Sequence, residues 1–266
     1  MLFFREDFFK NKIRKGGEKV MGSLLEKFKG LEGIEKERKI RMLTEKDIGH
    51  ERKDYFELFT ICNAFWIYNG EGPHALLVSG RHSDGYIDCS QVLKFTNLRD
   101  ILAERMVEEI LLPNIAGAKI EIDYVASSSM AAISAGDGVA TYLGATFIYC
   151  EKASGIQKLK RFEIPDGAKI LQVEELITTM KTTRQVTNAI IEKNKSVEFV
   201  KDENGKIVVL TLVHRPEKLP IEYPDYRILP LVELEIHNWD AKNCPLCKAG
   251  SRALKPKENR NLFFKI

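Results

Sequence analysis

The sequence predicts a layered α/β domain with a central, mainly parallel β-sheet flanked by helices. Two observations lead there. From residue 122 onward, short apolar runs alternate with stretches of helical periodicity, the order that parallel βαβ units require. A content of 44% hydrophobic and 30% charged residues over 266 positions also suits a chain that folds around a core of its own. No apolar run reaches the roughly 18–20 residues a membrane helix needs, and the N-terminus lacks the basic-then-apolar order of a signal peptide. The expected compartment is therefore the cytoplasm. The five cysteines are odd in number and scattered except for one pair, so they do not read as a disulfide framework. Cys62, Cys89 and Cys150 sit in apolar contexts and are expected as reduced core residues.

Taken in order, residues 1–53 form the first unit. They carry 15 Lys/Arg and 10 Asp/Glu, a net of +5 against +3 for the whole chain. Gly16–Gly17, Gly30 and Gly33 interrupt them, so a solvated, partly helical extension is expected rather than a domain. The unit carries no recognised nucleic-acid module, and neither nucleic acid nor a membrane is expected as partner. Residues 54–238 form the main domain. "DYFELFTICNAFWIYNG" (54–70) has apolar residues at helical spacing, with Gly70 as its stop. "NLRDILAERMVEEILLP" (97–113) is a second amphipathic helix, capped by Asn97 and ended by Pro113. Strands follow at 122–127, 145–150, 168–174, 206–213 and 227–235, with helices at 130–143 and 182–194. Residues 239–266 are expected as a short irregular tail.

Within that frame "KILQVEELITTMKTTRQV" (169–186) carries chemistry. An apolar strand ends in Glu174 and Glu175. The hydroxyls of Thr178, Thr179, Thr182 and Thr183 then fall just before a helix. A helix N-terminus offers unpaired amides and the positive end of its dipole, so it can hold a phosphate monoester. Adjacent carboxylates can hold vicinal ribose hydroxyls and orient Mg²⁺ through water. Together they describe a ribose 5-phosphate site.

The segment resembles the phosphoribosyl-pyrophosphate (PRPP) motif of type I phosphoribosyltransferases: strand, two acids, two apolar residues, Thr-Thr, two small residues and Ser/Thr. Its surroundings resemble orotate phosphoribosyltransferases in order. "GPHALLVSGRHSDGYIDCSQVL" (72–93) is similar to their N-terminal signature, and "RFEIPDGAKILQVEE" (161–175) to the approach to the PRPP motif. "VVLTLVHRPE" (208–217) is similar to a later strand that ends in a base-binding arginine. "LVELEIHNWDAKNCPLCKAGSRALKPK" (231–257) resembles the C-terminus of one bacterial group. The resemblance spans about residues 64–257 and implies the type I phosphoribosyltransferase fold, with a small hood and, here, an N-terminal helical extension.

The activity it implies is transfer of the phosphoribosyl group of PRPP to orotate, giving orotidine 5′-monophosphate and pyrophosphate, with Mg²⁺ accompanying PRPP. By resemblance, Glu174 and Glu175 hold the ribose, and Thr178, Thr179, Met180, Lys181, Thr182 and Thr183 line the 5′-phosphate site. Ser127, Ser128, Ser129, Met130, Ala131 and Ala132 form the pyrophosphate turn. "CEKASGIQKLKRF" (150–162) matches a mobile catalytic loop whose Lys152, Lys158, Lys160 and Arg161 face the leaving group. In the family this loop reaches the partner's site, which implies a homodimer. Arg215 would grip the carboxylate of orotate, where a planar fork suits better than a lysine. Ser79, Gly80, Arg81, His82, Ser83 and Tyr86 would close the base site from the hood.

The pattern departs at four places. Glu175 stands where Asp is usual. Met180 and Lys181 replace a glycine pair and are expected to add bulk and a cation at the phosphate. Ala131–Ala132 stand for Gly-Gly, and His214 for an acid. Two readings therefore stay open beside the orotate enzyme: a PRPP- or nucleotide-binding paralogue that transfers poorly, and a transferase for another nucleobase. Separately, Cys244 and Cys247 form half of a tetrahedral Zn²⁺ site, with His237 as a third ligand and no fourth evident nearby.

Overall fold

The computed structural model describes residues 23–115 and 121–264. Readings made for residues 1–22, including the first part of the basic extension, lie outside the described residues.

The central sheet has seven strands. Its spine is β11 (Tyr226–Glu233), β10 (Ile207–His214), β8 (Lys169–Ile177), β5 (Tyr124–Ser128), β6 (Thr146–Ala153) and β7 (Ile156–Lys158), with β9 (Glu198–Phe199) paired to the start of β8. Every pairing is parallel except β6 with β7, a hairpin. The predicted strands are all present, shifted by one to three residues at their ends.

Alternation along each strand sends successive side chains to opposite faces. Val125, Leu171, Val173, Leu210 and Leu212 join a large core on one face. Ala126, Ile148 and Ile170 meet Val186, Ala189 and Ile190 of the helix Lys181–Lys193 on the other. The first face is covered by the helices Thr96–Arg105 and Ile133–Leu143. The former runs on through a π-helical turn, Met106–Leu111, so the helix predicted over 97–113 is one path with a bulge in it.

Two predicted boundaries move. The helix expected over 54–70 spans Arg52–Ile61 and stops there. Asn63 is left-handed at φ 53°, and Phe65–Ile67, aromatic and β-branched, forms β1 against β4 (Gly85–Ile87). The tail expected to be irregular supplies β12 (Asn238–Trp239) and β13 (Ala253–Leu254), with the short helix Pro245–Lys248 between them. These flank β2 (His74–Leu76) and β3 (His82–Ser83) in a four-stranded sheet ordered β12-β3-β2-β13. Strands of two or three residues carry too little pattern to be seen in sequence.

The described part of the extension joins the core. Leu24 and Phe28 of one short helix and Ile40 of the helix Gly33–Arg41 are buried in the large cluster. Ser23 Oγ and Leu24 N both donate to Glu57, at 2.8 Å each, fixing the first helix on Arg52–Ile61. Among the described residues, no helix is long and apolar enough to cross a membrane.

Candidate functional site

β10, β8 and β5 are adjacent and parallel, with Thr211 beside Glu174 and Ser127 beside Val173. Their carboxyl ends therefore deliver Arg215, the segment from Glu174 onward and the Ser128–Ala132 turn to one edge, where open α/β sheets bind ligands. Glu174 is 3% exposed. It accepts from Ser128 Oγ at 2.6 Å and from Gln172 Nε2 at 3.4 Å. Burial pushes its carboxyl up to about 7, against the pull of those two hydrogen bonds. Glu175 is also pushed up to about 7, by burial first and then by the charges of Glu174 and Asp88. Its Oε2 is buried without a hydrogen-bond partner. The acid nearer the strand is thus tied into the protein, and the second is left wanting a donor or a cation.

Beyond the acids, the chain turns at Thr178–Met180 into the helix Lys181–Lys193. The first amide bonded back is that of Arg184, to Met180 O at 3.0 Å, so the amides of Lys181, Thr182 and Thr183 lie at the open helix end. Thr179, Lys181 and Thr182 are exposed and Thr178 is half-buried. Met180 is left-handed at φ 62°. Its side chain, 2% exposed, packs with Ile177, Val209, Tyr223 and Tyr226. The expectation that it crowds the phosphate is corrected: the backbone twist that glycine would supply is adopted anyway, and it sends the bulk into the core. Thr183 is likewise buried, its carbonyl accepting from Gln172 Nε2 and Thr187 Oγ1, so it offers the edge only its amide.

The second turn is built alongside. Ser127 Oγ is buried without a partner, against the helix Ile133–Leu143. A Cβ on Gly136 would stand 3.0 Å from that oxygen and 2.6 Å from Phe147, so helix and strand are in close contact there. Ser127 therefore faces away from the edge, and Ala132 is buried. Ser129 N donates to Cys150 O at 2.9 Å, and its Oγ accepts from Lys152 N at 3.1 Å. Met130 and Ala131 are exposed. The segment expected as a mobile loop is the β6–β7 hairpin, turning at Ser154–Gly155. Lys152, Lys158 and Lys160 are exposed along it, and Arg161 pairs with Glu151.

On the other side, Arg215 N donates to Ile177 O at 2.9 Å, and the Nε of its guanidinium is buried without a partner. Burial lowers its proton affinity. Cys89 Sγ donates to Glu175 O at 3.5 Å, and the charges of Glu175 and Arg215 both act on this buried thiol. Tyr86 is half-buried, and burial pushes its hydroxyl up to about 12. Ser79 and Gly80, at φ 81°, sit exposed at the tip of the hairpin joining β2 and β3. Arg81 is held by Glu217 and donates to Asn238 O at 2.8 Å. Ser83 is fully buried, its Oγ 2.9 Å from the carbonyls of Gly85 and His237, so it braces the hood rather than facing a ligand. His214 is not an unpaired substitute for an acid. It is buried, 2.7 Å from Glu233 Oε1 and 3.1 Å from Tyr223 Oη, and it ties β10 to its neighbours.

His82 is placed differently from its prediction. Its Nδ1 lies 3.0 Å from His74 Nε2 and 3.3 Å from Cys247 Sγ. Cys244 Sγ and Cys247 Sγ lie 3.5 and 3.6 Å from the same His74 nitrogen. His237, expected as a third ligand, is turned away between Asp84 and Glu235 at 3.1 and 3.2 Å. The sequence reading missed His74. Its signal was available: two histidines bracketing one hairpin, upstream of a Cys-x-x-Cys. Asp88 was also missed. It is buried, accepts from Ser90 Oγ at 2.5 Å, and draws Lys257 and Arg260 of the C-terminal segment to 3.9 and 3.8 Å. A surface hollow of about 480 Å³, lined by Asp123, Thr146 and Asp166 among others, lies at the opposite, amino ends of the strands, away from these groups.

No family model matches the chain. It is 31% identical over 205 residues to orotate phosphoribosyltransferase of Caldicellulosiruptor bescii, covering 76% of this chain and 95% of that protein. It is 30% identical over 191 residues to orotate phosphoribosyltransferase of Nitratiruptor sp., covering 71% and 92%. A crystal structure of orotate phosphoribosyltransferase from Aeropyrum pernix aligns with TM-score 0.49 and 16% identity, over 67% of this chain and 92% of that one.

Proposed function

Because the chain belongs to the orotate phosphoribosyltransferase family, we propose that it transfers the phosphoribosyl group of PRPP to orotate, giving orotidine 5′-monophosphate and pyrophosphate. The observation that carries this reading is a pair of buried, unpartnered polar atoms at one sheet edge, Glu175 Oε2 and Arg215 Nε. Buried groups of this kind cost free energy unless something satisfies them. A ribose hydroxyl or hydrated cation suits the first, and an anionic ring acid the second.

In the reaction the C1–N bond forms as pyrophosphate departs from a ribose with oxocarbenium character. The protein's work is to fix the partners and balance charge. Glu175, with Glu174 behind it, would hold the ribose. The amides of Lys181–Thr183 with Thr178, Thr179, Thr182 and the Lys181 ammonium would hold the 5′-phosphate. Ser128–Ala131 would cradle pyrophosphate, and Lys152, Lys158 and Lys160 would neutralise it. Arg215 would pair with the carboxylate of orotate, under Tyr86 and the Ser79–Arg81 hairpin. Mg²⁺ would neutralise the leaving group as it accompanies PRPP. Glu175, with Glu174 behind it, would hold it through its water, a fit supported by the unpartnered carboxylate oxygen.

The reading includes a homodimer in which the β6–β7 hairpin serves the partner's site, and a cytoplasmic location. Free cysteines at all five positions are in keeping with a reducing compartment. Loss of orotate absorbance on adding PRPP and Mg²⁺ tests the activity. No turnover with intact PRPP binding would make the chain a binding paralogue. Turnover of another base alone would overturn the substrate. Mixing Glu175→Gln chains with Lys152→Ala/Lys158→Ala chains should restore activity in a dimer with shared sites, and should not if each chain works alone.

A further inference from the structure

We infer that His74 Nε2, His82 Nδ1, Cys244 Sγ and Cys247 Sγ bind one Zn²⁺ in a closed tetrahedral site that clamps the C-terminal segment onto the base-site hairpin. All four donor atoms lie within 4.8 Å of one another. With Zn–N of about 2.0–2.1 Å and Zn–S of about 2.3 Å, a tetrahedron puts nitrogen and sulfur about 3.5 Å apart and two nitrogens about 3.3 Å apart. Three of the four nitrogen–sulfur distances are 3.3, 3.5 and 3.6 Å, and the nitrogen–nitrogen distance is 3.0 Å. Four of the six donor pairs are therefore close to the spacing the ion needs, and the remaining two lie within 4.8 Å.

A second observation concerns the tautomer. Ser251 Oγ donates its only proton to Gly72 O at 2.8 Å, so at 2.9 Å from His74 Nδ1 it can only accept. His74 must then carry its proton on Nδ1 and turn the Nε2 lone pair to the other three donors. A group that accepts from the other ring nitrogen, here a hydroxyl, is the usual companion of a metal-bound histidine. His74 and Cys244 are each 0% exposed, so the cluster is enclosed save on the Cys247 side. On binding, the ion displaces the two thiol protons, and one Zn²⁺ with two thiolates is neutral overall, which suits that burial. Four protein donors leave no open position, so the metal is structural.

Its position gives it a task. His74 and His82 lie on β2 and β3, at either end of the Leu77–Arg81 hairpin. The cysteines lie on the segment between β12 and β13, the outer strands of the same sheet. None of these strands exceeds three residues, too short to hold its register unaided. One ion links both inner strands to the segment that joins the outer two. The clamp's bearing on orotate rests on the proposed function; the metal site itself does not.

The test uses the full chain. Desalted protein should carry one zinc per chain by elemental analysis. Protein stripped by chelator and given Co²⁺ should show the intense ligand-field bands of a tetrahedral ion and a thiolate-to-cobalt band. Cys247→Ser should weaken that band, and Ser251→Ala, which keeps every ligand, should lower zinc affinity about 10- to 100-fold. Stripping should expose residues 238–264 to limited proteolysis and raise KM for orotate, leaving PRPP affinity by calorimetry unchanged. A wild-type chain that takes up neither zinc nor Co²⁺ overturns the site, whatever the activity assay gives. Stoichiometric zinc whose removal changes neither proteolysis nor KM for orotate overturns the clamp.

Discussion

The proposed phosphate edge and the hood are built in opposite ways. At the phosphate edge, three adjacent parallel strands end together, and their functional side chains come within a few residues of those ends. Sheet register alone brings Ser128 to Glu174. In the hood, strands of two and three residues come from segments more than 150 positions apart, and side chains hold them together. A site edge that hangs on a long sheet tolerates changed loop residues, whereas one assembled from fragments depends on its braces.

Met180 illustrates the tolerant side. A left-handed backbone at a non-glycine residue costs about 1–2 kcal/mol. Burial of its side chain among Ile177, Val209, Tyr223 and Tyr226 offsets that cost. The turn keeps its shape with a different residue in it.

The largest expected effect probes the seam between the two regions. Arg215→Ala should lower kcat/KM for orotate about 10³-fold, roughly 4 kcal/mol. PRPP affinity by calorimetry should stay within about threefold. Equal loss for both substrates would mean that the arginine serves the whole edge. Next, Glu175→Gln should lower kcat about 10²-fold with KM for orotate little changed, because it removes a ribose contact on the phosphate side. A raised KM for orotate alone would move Glu175 to the base side.

The same acids set a pH dependence. Both are held near 7 in the fold, above the ordinary value of 4.5. Between those values the unfolded chain has released protons that the fold still binds, so stability falls as pH rises from about 4.5 to 7 and levels off above. The loss should be several kcal/mol, on the order of 3 for each acid, in denaturant titrations of ligand-free protein, and Glu174→Gln/Glu175→Gln should flatten it. A flat wild-type profile would mean that the two acids are better solvated than their burial implies.

Smaller effects separate packing from binding in the phosphate turn. Met180→Gly should destabilise the fold by about 1–3 kcal/mol, the lost packing outweighing the relieved backbone, with PRPP affinity within about threefold. Lys181→Ala should leave stability unchanged and weaken PRPP by about 3- to 10-fold, the worth of one exposed cation. The reverse pattern would return Met180 to the phosphate.

The amino-acid sequence by itself determined the sheet, its order of strands and helices, and the edge at which Glu174, Glu175, the threonine turn and Arg215 meet. The sheet and the threonine turn follow from periodicity and from residues that lie within one strand-to-helix step of each other, whereas Arg215 joins them through its resemblance to the base-binding arginine of phosphoribosyltransferases. Only the tertiary structure decided which way Met180, Thr183 and Ser127 point, since a one-residue change in backbone twist exchanges core for surface. It also decided that His214 pairs with Glu233 on the neighbouring strand and with Tyr223 in the loop before it. Above all it turned His82 from the base site to His74 and gave "CPLC" the two missing ligands, over 160 positions away in the chain. Sequence spacing marks the candidate residues, two histidines around one hairpin and a Cys-x-x-Cys, but not their meeting, because the cluster's geometry exists only once the short hood strands have paired.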